Sequence, residues 1–127
     1  MKRFRRVALF HVNNVVKRKK QPIFTAVINE LVINNYSLLL QIVTGSTKDE
    51  LPKMIRERRI DGLIMVGSFR DSYINRILGE NLQVVFIDPK KKLDQHSQIL
   101  IDNEQGAFQA TKYLIDHGHR RIGFISG

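Results

Sequence analysis

Four polar side chains directly follow apolar runs of the sequence, where an amide, a hydroxyl or a carboxylate could contact a small molecule. They are Asn13, Ser68, Asp88 and Asp102. Each preceding run has the composition of a strand buried in a parallel sheet. In open parallel sheets, ligands bind beyond the carboxyl ends of the strands, so we expect these side chains along one edge. The Asp88 carboxylate could accept hydrogen bonds from hydroxyl or amino groups of a ligand.

Some of these residues, and a nearby aromatic, also have simpler interpretations. Asp88 is followed by Pro89, which is typical of a surface turn, and the sequence favours neither interpretation. Asp102 stands where a helix N-cap is expected, with Gln105 three residues later to complete a capping box. Phe24 could support a planar ligand, but it also begins the apolar stripe of a helix, which favours a place in the core.

Catalysis and metal binding find little support in the sequence. The chain has no cysteine. His117 lies at a predicted helix end, and His119 lies on an arginine-rich turn without carboxylate or cysteine partners. The segment Asn13–Lys20 contains no glycine, which argues against a phosphate-binding loop, and no nucleophile elbow is present. We therefore predict a non-enzymatic chain with no catalytic residue, no metal and no cofactor.

The chain is strongly basic, with a formal net charge of +9 over 127 residues. Part of the charge lies in two short runs, within Lys2–Arg6 and at Lys17–Lys20. Neither run has interleaved aromatic residues for stacking on bases, so solvated loop charge is favoured over nucleic-acid binding. The length permits one modest core. The absence of cysteine, of a signal peptide and of a membrane-length apolar segment predicts a soluble, cytoplasmic protein.

Apolar runs alternate with helical patterns along the chain. Strands are expected at Val7–Val12, Leu38–Val43, Leu63–Val66, Val84–Ile87 and Ile99–Ile101, with a further buried strand at Ile122–Ser126. One helix is expected to have Pro22 in its first turn. Others are expected around Pro52, over Ser72–Leu78, and from Asp102 to a left-handed cap at Gly118. This alternation predicts the α/β class: a three-layer parallel sheet with helices on both faces and strand order 2-1-3-4-5.

Three blocks of residues occur in an order that is more specific than any one of them. The first two are Arg59–Ile64 and Val84–Asp88, and the third combines Asp102-Asn103, Gly106-Ala107, Tyr113–Ile115 and Gly118–Ile122. Together they resemble the effector domain of the lactose/galactose repressor (LacI/GalR) family of bacterial transcriptional regulators. The resemblance implies half of a type I periplasmic-binding-protein fold. Residues 7–127 would be its N-terminal subdomain, residues 1–6 a linker remnant, and the C-terminal subdomain would be absent.

The resemblance also adds roles for individual residues. It favours effector contact for Asp88 and Asp102. It also adds Ile23 and Phe24, at the start of the first helix, as candidate effector contacts. With the residues at the strand ends, the candidate effector contacts are Asn13, Ile23, Phe24, Ser68, Asp88 and Asp102. It implies a homodimer through Val32, Tyr36, Leu38, Leu40 and Met54. DNA would be bound only through a helix-turn-helix headpiece absent from this chain, and no membrane contact is expected.

The function expected from these residues is ligand sensing in a transcriptional repressor. The effector would be a small metabolite, a sugar or its phosphate, that changes operator affinity. A solute-binding protein of a transport system has a similar two-lobed fold but would carry an export signal. A Rossmann-like enzyme fragment is a third alternative. With part of the fold missing, the fragment is expected to pair with another copy or to expose apolar surface.

Overall fold

The computed structural model describes residues 5–12, 21–44 and 50–126 of the chain. Within these ranges the strands form a single all-parallel sheet in the order β2-β1-β3-β4-β5. The strands are β1 (Arg5–Val12), β2 (Tyr36–Val43), β3 (Gly62–Val66), β4 (Gln83–Ile87) and β5 (Ser97–Ile99). The predicted α/β class and strand order are confirmed. Strand β5 is short and begins two residues before the predicted run.

Four helices accompany the strands: α1 (Gln21–Ile33), α2 (Lys53–Arg56), α3 (Asp71–Leu78) and α4 (Asn103–Asp116). Pro22 lies in the first turn of α1, and Pro52 is the N-cap residue of α2. Both positions suit a residue without a backbone N–H, because the first turn of a helix has no internal acceptor for that group. The structure therefore confirms that Pro22 and Pro52 lie at the starts of helices.

The main core lies between the sheet and the helices α2 and α3. Ala8 and Phe10 of β1 pack there with Ile55 of α2 and Ile77 of α3. Leu9, between them in sequence, is also fully buried but lies outside that cluster. Successive side chains of a strand point to opposite faces, so Leu9 faces the side that carries α1. This explains why β1 is apolar without alternation: both of its faces are covered.

The start of β3 is tied to β1 by two hydrogen bonds between Arg6 and Asp61. The Arg6 N–H donates to the Asp61 carboxylate, and the Asp61 N–H donates to the Arg6 carbonyl, both at 2.7 Å. Among the described residues, the glycines with positive φ are Gly67 and Gly118. Gly62 is instead the first residue of β3.

The segment after β5 departs from the prediction. Helix α4 forms as expected: the Asp102 carboxylate accepts the Gln105 N–H at 2.9 Å, and Gly118 ends the helix with φ 82°. The predicted buried strand Ile122–Ser126 is wrong, because no strand forms there and Ile125 is 96% exposed. A strand needs a neighbour to bond with, and the described edge of the sheet does not extend to this segment.

Candidate functional site

The carboxyl edge of the sheet brings some of the candidate residues, but not all of them, near one another. His11, Val66, Ile87 and Ile99 lie side by side in one row across β1, β3, β4 and β5. Beyond this row the Gly67 N–H donates to the Ile87 carbonyl at 2.8 Å, and the Asp88 N–H donates to the Ile99 carbonyl at 2.9 Å. Asp88 and the residue after Gly67 therefore leave the sheet at the same carboxyl edge.

Asp88 has an unusual backbone at this edge. Its φ is 53°, in the left-handed region, and its side chain is partly buried. Asp and Asn adopt this conformation more readily than most residues, because a short polar side chain can hydrogen-bond locally. Left-handed non-glycine residues cost free energy and concentrate at functional sites. The conformation is consistent with both a turn and a ligand contact for the carboxylate.

Phe24 lies over the end of β1. Its ring meets the ring of His11 edge to face, with centroids 5.2 Å apart and planes at 74°. His11 is 8% exposed and is the buried polar residue of the described core. His11 is not among the residues predicted for the site, although it is the polar residue within the apolar run Val7–Val12. The pair places an aromatic and an imidazole at the edge where β1 ends.

Ile23 lines an apolar groove of about 450 Å³ between α1 and the sheet. The sheet side of this groove is formed by Ile64, Ile87 and Ile99. Two of these belong to the terminal row of the sheet, so Ile23 and Asp88 lie near the same edge. The groove lies on the α1 side, because the adjacent residues Leu63 and Met65 face the core under α2 and α3.

Ser68 lines a different and larger cavity, which we term the β3–β4 pocket. It lies past the ends of β3 and β4 and has a volume of about 610 Å³. Its lining residues are Ser68, Phe69, Arg70, Asp71, Ile74, Pro89, Lys90, Lys91 and Leu93. Ser68 therefore faces the loop after Asp88, whereas Ile23 faces the opposite side of the sheet.

Asp102 does not line either of these cavities. Asp102 is exposed and serves as the N-cap of α4, as its simpler interpretation predicted. Asn13 lies outside the described residues. Among the described residues, no three histidine or carboxylate side chains come together as metal ligands. No helix in the same ranges has the length and apolarity needed to cross a bilayer.

The predicted dimer residues lie mostly around the edge strand β2. Val32 of α1 and Leu40 of β2 are 66% and 61% exposed. Leu38 and Tyr36 are partly buried on β2. The Tyr36 hydroxyl accepts a hydrogen bond from Arg5 at 2.8 Å, which raises the pKa of the Arg5 guanidinium. Met54 lies apart from the others, packed against the core under α2.

No protein-family model matches the chain. Curated relatives are named HTH-type transcriptional repressor PurR. The protein of Photobacterium profundum is 29% identical over 124 residues, which is 91% of this chain and 37% of the relative. That of Proteus mirabilis is 30% identical over 115 residues, 84% of this chain and 34% of the relative. The chain thus spans little more than a third of the length of these relatives.

Solved structures with the same fold are also transcriptional regulators. A LacI-family regulator from Mycobacterium smegmatis is 25% identical with a TM-score of 0.69, covering 95% of this chain and 44% of that one. The lac repressor dimer bound to operator and the anti-inducer ONPF is 18% identical with a TM-score of 0.73, covering 96% and 44%. Over most of its length the chain is therefore similar to LacI-family transcriptional regulators. The LacI relatives named here are repressors and regulators rather than enzymes, which agrees with the predicted non-enzymatic chain.

Proposed function

We propose that this chain is the ligand-sensing and dimerising part of a bacterial transcriptional repressor of the LacI family. The main support is the carboxyl edge of the sheet, where Asp88 leaves β4 beside Ser68 in a fold shared with LacI regulators. The effector is a small polar metabolite, a sugar or its phosphate. The protein acts in the cytoplasm, and operator DNA is bound by a headpiece outside these 127 residues.

We also propose that the packed N-terminal subdomain predicted over residues 7–127 ends near Ile99. Up to that residue the strands share one sheet, whereas α4 exposes Phe108, Tyr113 and Ile115. The relatives are much longer than this chain. In the longer protein, the exposed apolar side of α4 and the residues after it would be covered by the part of the repressor that this chain does not span.

Effector sensing is tested by replacing the carboxylate at the strand end. In the full-length protein, Asp88→Ala is expected to weaken effector binding about ten- to hundredfold, because a hydrogen bond to a charged acceptor is lost. Calorimetry with a panel of sugars and sugar phosphates measures the change. Asp88→Asn is the matched variant, since asparagine tolerates the left-handed backbone but carries no charge. Unchanged affinity in both variants would remove Asp88 from the site.

A further inference from the structure

The β3–β4 pocket combines a cationic wall with an apolar one. Arg70, Lys90 and Lys91 contribute positive charge, and Asp71 is the single carboxylate among the lining residues. The apolar wall is formed by Phe69, Ile74, Pro89 and Leu93. Three cations facing one carboxylate leave the pocket with a net positive charge. An anionic group placed there would be attracted from several sides.

The single carboxylate neutralises only part of this charge. The Lys91 ammonium lies 2.7 Å from the Asp71 carboxylate, and both side chains are more than 60% exposed. An exposed pair of this kind is weak and exchanges easily with solvent or another anion. Within the described ranges Lys90 makes no ion pair, and its side chain is exposed. Lys90 is therefore available to a ligand.

The size and composition of the pocket suit a small molecule. Ligand sites typically have volumes of about 300–1,000 Å³ and combine apolar walls with a few placed polar groups. The pocket, at about 610 Å³, lies within that range. Lysine and arginine are the residues that bind phosphate and carboxylate groups most strongly. The Ser68 hydroxyl can donate a further hydrogen bond from the β3 side.

We propose that the β3–β4 pocket binds the anionic group of a phosphorylated or carboxylated metabolite. Lys90 and Lys91 contact the anionic oxygens, and Phe69 and Leu93 contact the uncharged remainder. This deepens the sensing role proposed above, on which it rests, by assigning a charge to the effector. A neutral sugar would form no ion pair with Lys90, so the pocket would favour the phosphorylated form.

The test compares glucose with glucose 6-phosphate and inorganic phosphate as probes on the 127-residue chain at low ionic strength. Amide chemical shifts report both the affinity and the place of binding. We expect the two phosphates to shift the amides of Ser68, Asp71 and Lys91, and glucose to leave them unchanged. Lys90→Gln is expected to weaken phosphate binding about three- to tenfold, as expected for one charged contact.

Lys92→Gln is the matched control, because Lys92 is exposed on the same loop but does not line the pocket. It should leave the affinity unchanged. Equal losses in the Lys90 and Lys92 variants would indicate general charge attraction and overturn the proposal. So would phosphate-induced shifts confined to other basic residues, or the absence of any shift. Binding of a neutral sugar that Lys90→Gln does not affect would reject the anion site and leave the sensing function standing.

Discussion

Two phenylalanines of the chain occupy opposite environments and allow a matched test of the core. Phe86 on β4 is 1% exposed and belongs to the main core cluster, whereas Phe124 is 91% exposed. Phe86→Ala is expected to lower the free energy of unfolding by about 3–5 kcal/mol, through lost apolar transfer and the cavity left behind. Phe124→Ala should change it by less than about 0.5 kcal/mol.

Urea denaturation of both variants measures this difference. A comparable loss in the Phe124 variant would show that the last residues are packed in solution and would contradict their exposure. The comparison is informative because the two substitutions remove the same atoms. Any difference between them therefore reflects burial rather than the chemistry of the side chain.

Some residues of the candidate site could be predicted from the sequence and others could not. Asp88 and Ser68 were found because parallel strands end at one edge, which is a property of the fold. His11 was missed because one imidazole within an apolar strand carries no positional signal. Its neighbour across space, Phe24, is 13 positions away in sequence. The contact between His11 and Phe24 depends on where α1 crosses the sheet, which local sequence patterns do not specify.

Helix α4 shows where a correct local pattern leads to a wrong packing prediction. Its N-cap, apolar spacing and left-handed terminal glycine all appear as predicted, since they depend on neighbouring residues. The strand expected after it does not form, because pairing depends on a partner elsewhere in the chain. The apolar composition of Ile122–Ser126 indicates burial but cannot specify what buries it.

Limited proteolysis tests whether α4 and the residues after it are separate from the sheet. Chymotrypsin is expected to cleave first after Phe124 and then after Phe108 and Tyr113, which are all exposed. Cleavage after the buried Phe10 and Phe86 should be much slower, because it requires unfolding of the core. Mass spectrometry of the products over time identifies the order.

Two outcomes would contradict this view of the last segment. Early cleavage after Phe86 would mean that the sheet itself is unstable in this chain. Protection of Phe108 as strong as that of Phe86 would mean that α4 is covered in solution. Phe124→Ala serves as the control, since it should remove the first product and leave the others.

At the scale of the molecule, strand order was predictable because strands and helices alternate along the chain from β1 to β4 and crossovers keep one hand. Exposed apolar side chains were harder to interpret from sequence, since periodicity does not reveal which face is covered by another molecule. Several lie on α1 and β2: Ile28, Val32, Ile33, Leu40 and Ile42. Strand β2 is also an edge of the sheet, so this region is a natural surface for a second copy.

We predict that Leu40→Lys disrupts the proposed homodimer. Burying a leucine at an interface contributes about 1.5–3 kcal/mol, and a lysine there must instead be desolvated. A twofold dimer repeats the change in both protomers, so the dissociation constant should rise more than about tenfold. Sedimentation velocity over a range of concentrations measures the shift in the dissociation constant.

The control is Ile125→Lys, which adds the same charge at a residue that is 96% exposed but distant from β2 in sequence, and it should leave the dimer intact. If Ile125→Lys dissociates the dimer and Leu40→Lys does not, the copies associate through the segment after α4, and the β2 face must be assigned to another partner.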